Sequence, residues 1–192
     1  MRRTKIFLRI ILLPVSIIYG IAVYLRNRLY DFNILTSKSF RLPIISVGNI
    51  TVGGTGKTPH IEYLTELLKK EFSVATLSRG YKRKSKGFQF VTEDSSSRII
   101  GDEPLQVKTK NRDVTVAVDA SRVRGIKKLR NTLENLDVVL LDDAYQHRKV
   151  NVNLSILLIN YNKPIYKDFV LPTGNLREQA LEKKRANIII VT

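Results

Sequence analysis

Residues 51–58, Thr-Val-Gly-Gly-Thr-Gly-Lys-Thr, place three glycines directly before a lysine and a threonine. Gly53, Gly54 and Gly56 admit backbone conformations that a side chain would block, so successive N–H groups can turn inward around phosphate oxygens. Lys57 then brings a mobile positive charge to the terminal phosphates, and Thr58 brings the hydroxyl that such loops present to Mg²⁺. Thr51 stands where the strict pattern has glycine, five residues before Gly56. The apolar run "LPIISV" before the loop reads as a strand, and Ile61, Leu64, Leu67 and Leu68 recur after it at helical spacing. A bound anion would therefore meet a helix N-terminus, with Pro59 tolerated in its first turn.

Two acidic clusters supply further groups for phosphoryl transfer. Asp142 and Asp143 close the run "VVLLDD", and a carboxylate at the C-terminal end of a buried strand can hold Mg²⁺ directly or through water. Read alone, the same pair is a turn signal or a helix cap. In "GDEP", residues 101–104, Asp102 reads equally well as an N-cap, with Glu103 and Pro104 in the first turn. His147, in "YQHRKV", is one of only two histidines, the other being His60.

Those residues need a scaffold, and the pattern predicts an α/β fold. The runs "LPIISV", "FSVATL", "VTVAV", "DVVLLD", "LSILLI" and "NIIIVT" read as buried strands of a mostly parallel sheet. Helices are expected after Lys57, Glu103 and Ser121, and the polar, basic stretch 81–101 reads as an excursion or hairpin at the sheet edge. The chain divides into an N-terminal helix, 1–31, and a P-loop core, 42–192. "IFLRIILLPVSIIYGIAVYL", residues 6–25, is about as long as a bilayer-spanning helix needs to be. Lys5, Arg9, Ser16, Gly20 and Asn27 fall in one narrow sector of it, which favours a helix lying in or near the interface over a clean span.

With 192 residues, 43% of them hydrophobic, the chain can bury one sizeable core. The absence of cysteine excludes disulfides and thiolate metal sites. A net charge of +16 calls for an anionic partner. Nucleic acid is not expected, because the basic residues are scattered and aromatic interleaving is sparse.

"VGNITVGGTGKTP", "LSRGYKRKSKG", "GDEPLQ", "LLDDAYQHR" and "LPTGNLRE…KKRANIIIVT", in that order behind a membrane-seeking N-terminus, resemble the tetraacyldisaccharide 4'-kinase family along essentially the whole chain. That family also uses threonine or serine at the position of Thr51. The resemblance implies a kinase at the cytoplasmic face of the bacterial inner membrane. It would move the γ-phosphate of ATP, with Mg²⁺, to the 4'-hydroxyl of a tetraacyldisaccharide 1-phosphate in lipid A biosynthesis. It makes Thr51, Val52, Gly53, Gly54, Thr55, Gly56, Lys57 and Thr58 the ATP loop, with His147 near the nucleotide. It makes Thr58 and Asp142 the metal ligands, with Asp143 and Glu103 as outer or additional ligands, and Asp102 the base; Lys57 acts on the phosphates. Arg79 and Arg177 are phosphate candidates in matching motifs. An anionic membrane surface is the expected partner, and no obligate protein partner is implied. Gln179 stands where the family has proline. The family continues past Thr192 into a region whose histidine partners the catalytic aspartate, so the chain reads as an N-terminal fragment or truncated reading frame. A membrane-associated P-loop ATPase and a non-catalytic nucleotide-binding remnant are the alternative readings.

Overall fold

All six predicted runs form strands, and they assemble into one sheet. The computed structural model describes the backbone of residues 2–192 and the side chains of residues 11–192. Its elements are α1 (Arg2–Asp31), β1 (Ile44–Gly48), α2 (Lys57–Leu68), β2 (Val74–Ser78), β3 (Gln89–Val91), α3 (Ser97–Ile100), α4 (Asp102–Lys110), β4 (Thr115–Val118), α5 (Arg122–Thr132), β5 (Val138–Asp142), β6 (Leu154–Ile159) and β7 (Ile188–Val191). Two 3₁₀ turns, Ile165–Lys167 and Ala180–Arg185, lie between β6 and β7.

The strand order is β3-β4-β2-β5-β1-β6-β7, parallel except for β3, which runs antiparallel to β4 at the edge. The basic excursion thus contributes an edge strand of its own. β1 pairs with β5 so that Val47 lies beside Asp142, which brings the glycine loop and the acidic pair to the same ends of neighbouring strands. Ligands of open α/β sheets bind at such carboxyl ends.

Because both faces of a parallel sheet are covered, its central strands are buried throughout. Alternate residues feed two cores. Val47, Val74, Val116, Leu140 and Ile156 pack with Ile61, Leu64 and Leu68 of α2 and Val107 of α4. Ala75, Leu77, Val139 and Leu141 pack on the other face with Ile126 and Leu129 of α5. Leu67 departs from the expected apolar face of α2 and stays half exposed.

The polar sector of α1 turns toward the protein. Ser16, Gly20 and Asn27 are buried, while Ile11, Leu13, Val15, Ile17, Ile18, Ile21 and Leu25 are exposed. Lys5 and Arg9 lie outside the described side chains. Ser16 Oγ donates to Thr173 Oγ1 at 2.6 Å and accepts from Thr173 N–H at 2.8 Å. A Cβ added at Gly20 would meet Val170 Cγ2 at 3.2 Å, so a small residue allows this close approach. Residues 11–31 are long and apolar enough to cross a membrane, yet they are fastened along one side to the core.

Candidate active site

The glycine loop enters α2 through Gly56, which caps the helix with φ 74°, and Gly53 has φ 106°. Both angles lie in the left-handed region that side chains disfavour. Not every loop side chain faces outward, however. Thr55 is buried and its Oγ1 accepts from Asn49 Nδ2 at 2.8 Å, so its hydroxyl braces the loop from within. Thr51 bridges to Leu176, and Val52 N–H donates to Asn175 O at 2.8 Å.

Lys57 Nζ lies 3.7 Å from Asp143, whose two oxygens also accept from Arg177 Nη1 at 3.0 Å each. Asp143 itself has φ 47°, an unusual angle for a residue with a Cβ, and it turns the chain sharply at the end of β5. Asp142, the last residue of β5, is buried, and its Oδ1 has no hydrogen-bond partner. Burial, with Glu103 and Asp143 adding like-charge repulsion, pushes its carboxyl up to about 7, while Lys57 and Arg122 oppose the rise.

Arg122 is a fully buried cation that sequence reading missed. Its Nη1 donates to Asp119 O and its Nη2 to Asp142 O, each at 2.8 Å, tying the ends of β4 and β5 together. Burial lowers it to about 10, so it stays charged at neutral pH.

A cleft of about 430 Å³ opens at these strand ends. It is lined by Val52 of the loop, Arg79 and Tyr81 after β2, Glu103, Asp142, Asp143, Gln146 and Arg177, and by Tyr19 and Arg26 of α1. Of the predicted site residues, the structure therefore gathers Val52, Glu103, Asp142 and Asp143 around one space, with Lys57 reaching Asp143. Asp102 is exposed at the first position of α4, beside this lining but not part of it. The N-cap is Gly101, with no side-chain cap bond, so Asp102 does not serve as the cap. His147 lines a separate polar pocket with Ser46, Arg148, Asn153 and Ser155. Burial, with Arg122 nearby, pulls His147 down to about 4. Its neighbour Gln146 lines the cleft instead and donates to Asn49 O at 2.8 Å.

The open oxygen of Asp142 tests whether a divalent cation suits the site. Mg²⁺ is commonly held by one or two carboxylates plus substrate phosphates, and the unpartnered Asp142 oxygen, on the strand next to the one that leads into the glycine loop, fits that requirement. No cluster of three or more His, Cys, Asp or Glu side chains fit to hold a metal by itself occurs among the described residues.

The upward shift of the Asp142 carboxyl has a cost in stability that can be measured. The unfolded chain loses this proton near the ordinary value of 3.8 and the folded chain near 7, so the native state binds more protons between them. Stability attributable to Asp142 therefore declines as pH rises through that window, by about 4 kcal/mol in all. Asp142→Asn is expected to be more stable than the parent at pH 8, with the gain shrinking as pH approaches 4. Denaturant titrations at several pH values check this, and parallel stability–pH curves for the two proteins would contradict it.

A parallel sheet whose glycine loop opens a helix, with an acidic strand end alongside, defines a P-loop nucleotide-binding fold. Within that class the chain belongs to the tetraacyldisaccharide-1-P 4'-kinase family, whose profile matches residues 8–192. It is 55% identical over 185 residues to a tetraacyldisaccharide 4'-kinase of Flavobacterium johnsoniae, covering 96% of this chain and 54% of that protein. A second such kinase, from Phocaeicola vulgatus, is 54% identical over 183 residues, covering 94% of this chain and 50% of that protein. The chain thus spans about half the length of these curated relatives. A crystal structure of LpxK from Aquifex aeolicus in complex with ATP superposes with a TM-score of 0.89 at 42% identity, covering 96% of this chain and 59% of that one.

Proposed function

We propose that the chain is the nucleotide-binding half of an ATP-dependent kinase that phosphorylates the 4'-hydroxyl of a tetraacyldisaccharide 1-phosphate at the cytoplasmic face of the bacterial inner membrane. The observation that carries this reading is the composition of the cleft, where the phosphate loop and the acidic pair share one space with Tyr19 and Arg26 of an apolar-faced helix. A nucleotide site is thereby joined to a lipid-facing element. The N-terminal region, 1–31, and the core, 42–192, act as anchor and catalytic body.

In this reading residues 51–58 cradle the ATP phosphates, and Lys57 leaves Asp143 to contact them. Asp142, Asp143, Glu103 and Thr58 would hold Mg²⁺, which would supply positive charge to neutralise the phosphates. Asp102 accepts the proton of the acceptor hydroxyl as its oxygen bonds to the γ-phosphorus, and the bond from that phosphorus to the bridging oxygen breaks to release ADP. Arg177 holds Asp143 in place, and Arg79 adds positive charge to the cleft wall. His147 serves the site indirectly, through the loop that carries Gln146.

Radiolabel transfer from ATP tests the reading in a chain extended at Thr192 to the relatives' full length. Label in the disaccharide lipid supports it. Release of label to water alone would favour a membrane-associated P-loop ATPase. No nucleic acid and no obligate protein partner enters the reaction.

The exposed face of α1 gives a second expectation. Burying apolar surface contributes roughly 25 cal/mol per Å², and basic residues near an anionic leaflet add about 1 kcal/mol each. Ile18→Glu combined with Ile21→Glu lies on the exposed side, so it is expected to abolish flotation with anionic vesicles while leaving ATP affinity unchanged. Full flotation of the double variant would place the membrane contact on another surface.

A further inference from the structure

The segment 173–178 touches three parts of the molecule that the sequence holds far apart. Its backbone lies along the phosphate loop, where Arg177 N–H donates to Ile50 O at 2.7 Å beside the Val52–Asn175 bond. The Arg177 guanidinium faces the acidic pair and binds both oxygens of Asp143. The next residue along this bend turns to the third part, α1, where its side chain accepts from Asn27.

That residue is Glu178, whose side chain is fully buried. Its carboxylate accepts from Asn27 Nδ2 at 3.0 Å, pairs with Arg185 and lies 3.7 Å from Arg26 Nη2. One residue earlier, the Arg177 carbonyl accepts from the Tyr19 hydroxyl at 2.9 Å. Ser16 and Thr173 make a third fastener along the same side of the helix.

Apolar contact alone would let a helix slide or rotate at little cost. Buried polar pairs do not, because any shift leaves a charge or a donor without its partner, and fixing register is the best-attested use of such pairs. Tyr19 and Arg26, the described residues through which α1 lines the cleft, sit at or next to these fasteners.

We propose that Glu178 is a positioning residue for the acceptor: by fixing the rotation and axial register of α1, it sets Tyr19 and Arg26 in the cleft that holds Asp142 and Asp143. This rests on reading the cleft as the kinase site, and it assigns Glu178 to the acceptor side of the reaction rather than to the nucleotide.

In a chain extended to the relatives' length, Glu178→Gln is expected to raise KM for the lipid acceptor about tenfold, the effect of losing one charge-assisted contact. KM for ATP should stay within about twofold of the parent. Asn27→Ala, which removes the helix side of the same contact, should give the same split if the buried substitution impairs folding. A fall in kcat at unchanged acceptor KM, or a matched rise of both KM values, would overturn the assignment. Hydrogen exchange on the 192-residue chain supplies a readout that does not depend on the acceptor. Amides of residues 16–28 should exchange faster in Glu178→Gln while those of β1 and β5 keep their protection, and unchanged protection of α1 would also overturn it. A parent enzyme that labels no lipid would instead sink the kinase reading, and the exchange result would still decide the role of Glu178 in holding α1.

Discussion

Alanine at position 57 is expected to lower the affinity for Mg·ATP by about 10²–10⁴, measured by calorimetry on the folded chain. Within residues 51–58 the other polar side chains are threonines, and Thr55 is already committed to Asn49. Lys57 is the only cation the loop possesses. Its hold on Asp143 is loose, at 3.7 Å, whereas Arg177 grips both oxygens of that carboxylate at 3.0 Å. Lys57 can therefore change partners without leaving Asp143 unpaired. Hydrogen bonds to charged groups contribute about 1.5–3 kcal/mol each, and an ammonium that reaches two phosphates makes two of them. A second consequence follows from the electrostatics, since Lys57 is one of two cations that hold the Asp142 carboxyl down. The variant should need a higher pH for the metal-dependent part of binding. Unchanged affinity would remove Lys57, and with it the loop, from phosphate binding.

The strands and crossover helices were legible because their signal is local. A buried parallel strand is an unbroken apolar run, and each run here is bounded by polar or glycine-containing turns. The same holds for the glycine loop, where residue type and spacing alone specify the backbone. The polar sector of α1 was legible as a pattern but not in its meaning. Ser16, Gly20 and Asn27 stand out by helical spacing, yet their partners Thr173, Val170 and Glu178 lie some 150 residues away. Periodicity identifies a distinct face, and only the fold decides whether water, lipid or protein covers it.

Arg122 illustrates a signal that was present and passed over. It lies four residues before Ile126 and seven before Leu129, on the apolar stripe of α5, so its spacing already placed it against the core. A charge on such a stripe is buried only at a cost that hydrogen bonds offset, and here the carbonyls at the ends of β4 and β5 take one bond from each of its terminal nitrogens. For "GDEP" no local signal sufficed, because both readings of Asp102 use the same letters. The backbone separates them: Gly101, with φ 97°, takes the cap position and leaves the Asp102 carboxylate without a capping role.

That freedom gives the expected result for Asp102→Asn its force. A sugar hydroxyl is a poor nucleophile at neutral pH, and a carboxylate within hydrogen-bond reach of it contributes about 10²–10⁴ in rate. Asparagine keeps the size and shape of the side chain but cannot take the proton. In the chain extended to the relatives' length, Asp102→Asn should therefore lower kcat by about 10²–10⁴ with ATP affinity and melting temperature retained. Glu103 is the competing candidate, because it, rather than Asp102, lines the cleft and adds to the charge around Asp142. Glu103→Gln removes that repulsion and should ease ionisation of Asp142, changing the Mg²⁺ concentration needed for half-maximal rate more than kcat itself. The two variants thus separate the roles through different observables. A large loss of kcat in Glu103→Gln with near-normal turnover in Asp102→Asn would move the base by one residue, from the exposed start of α4 to the side chain that lines the cleft with Asp142 and Asp143.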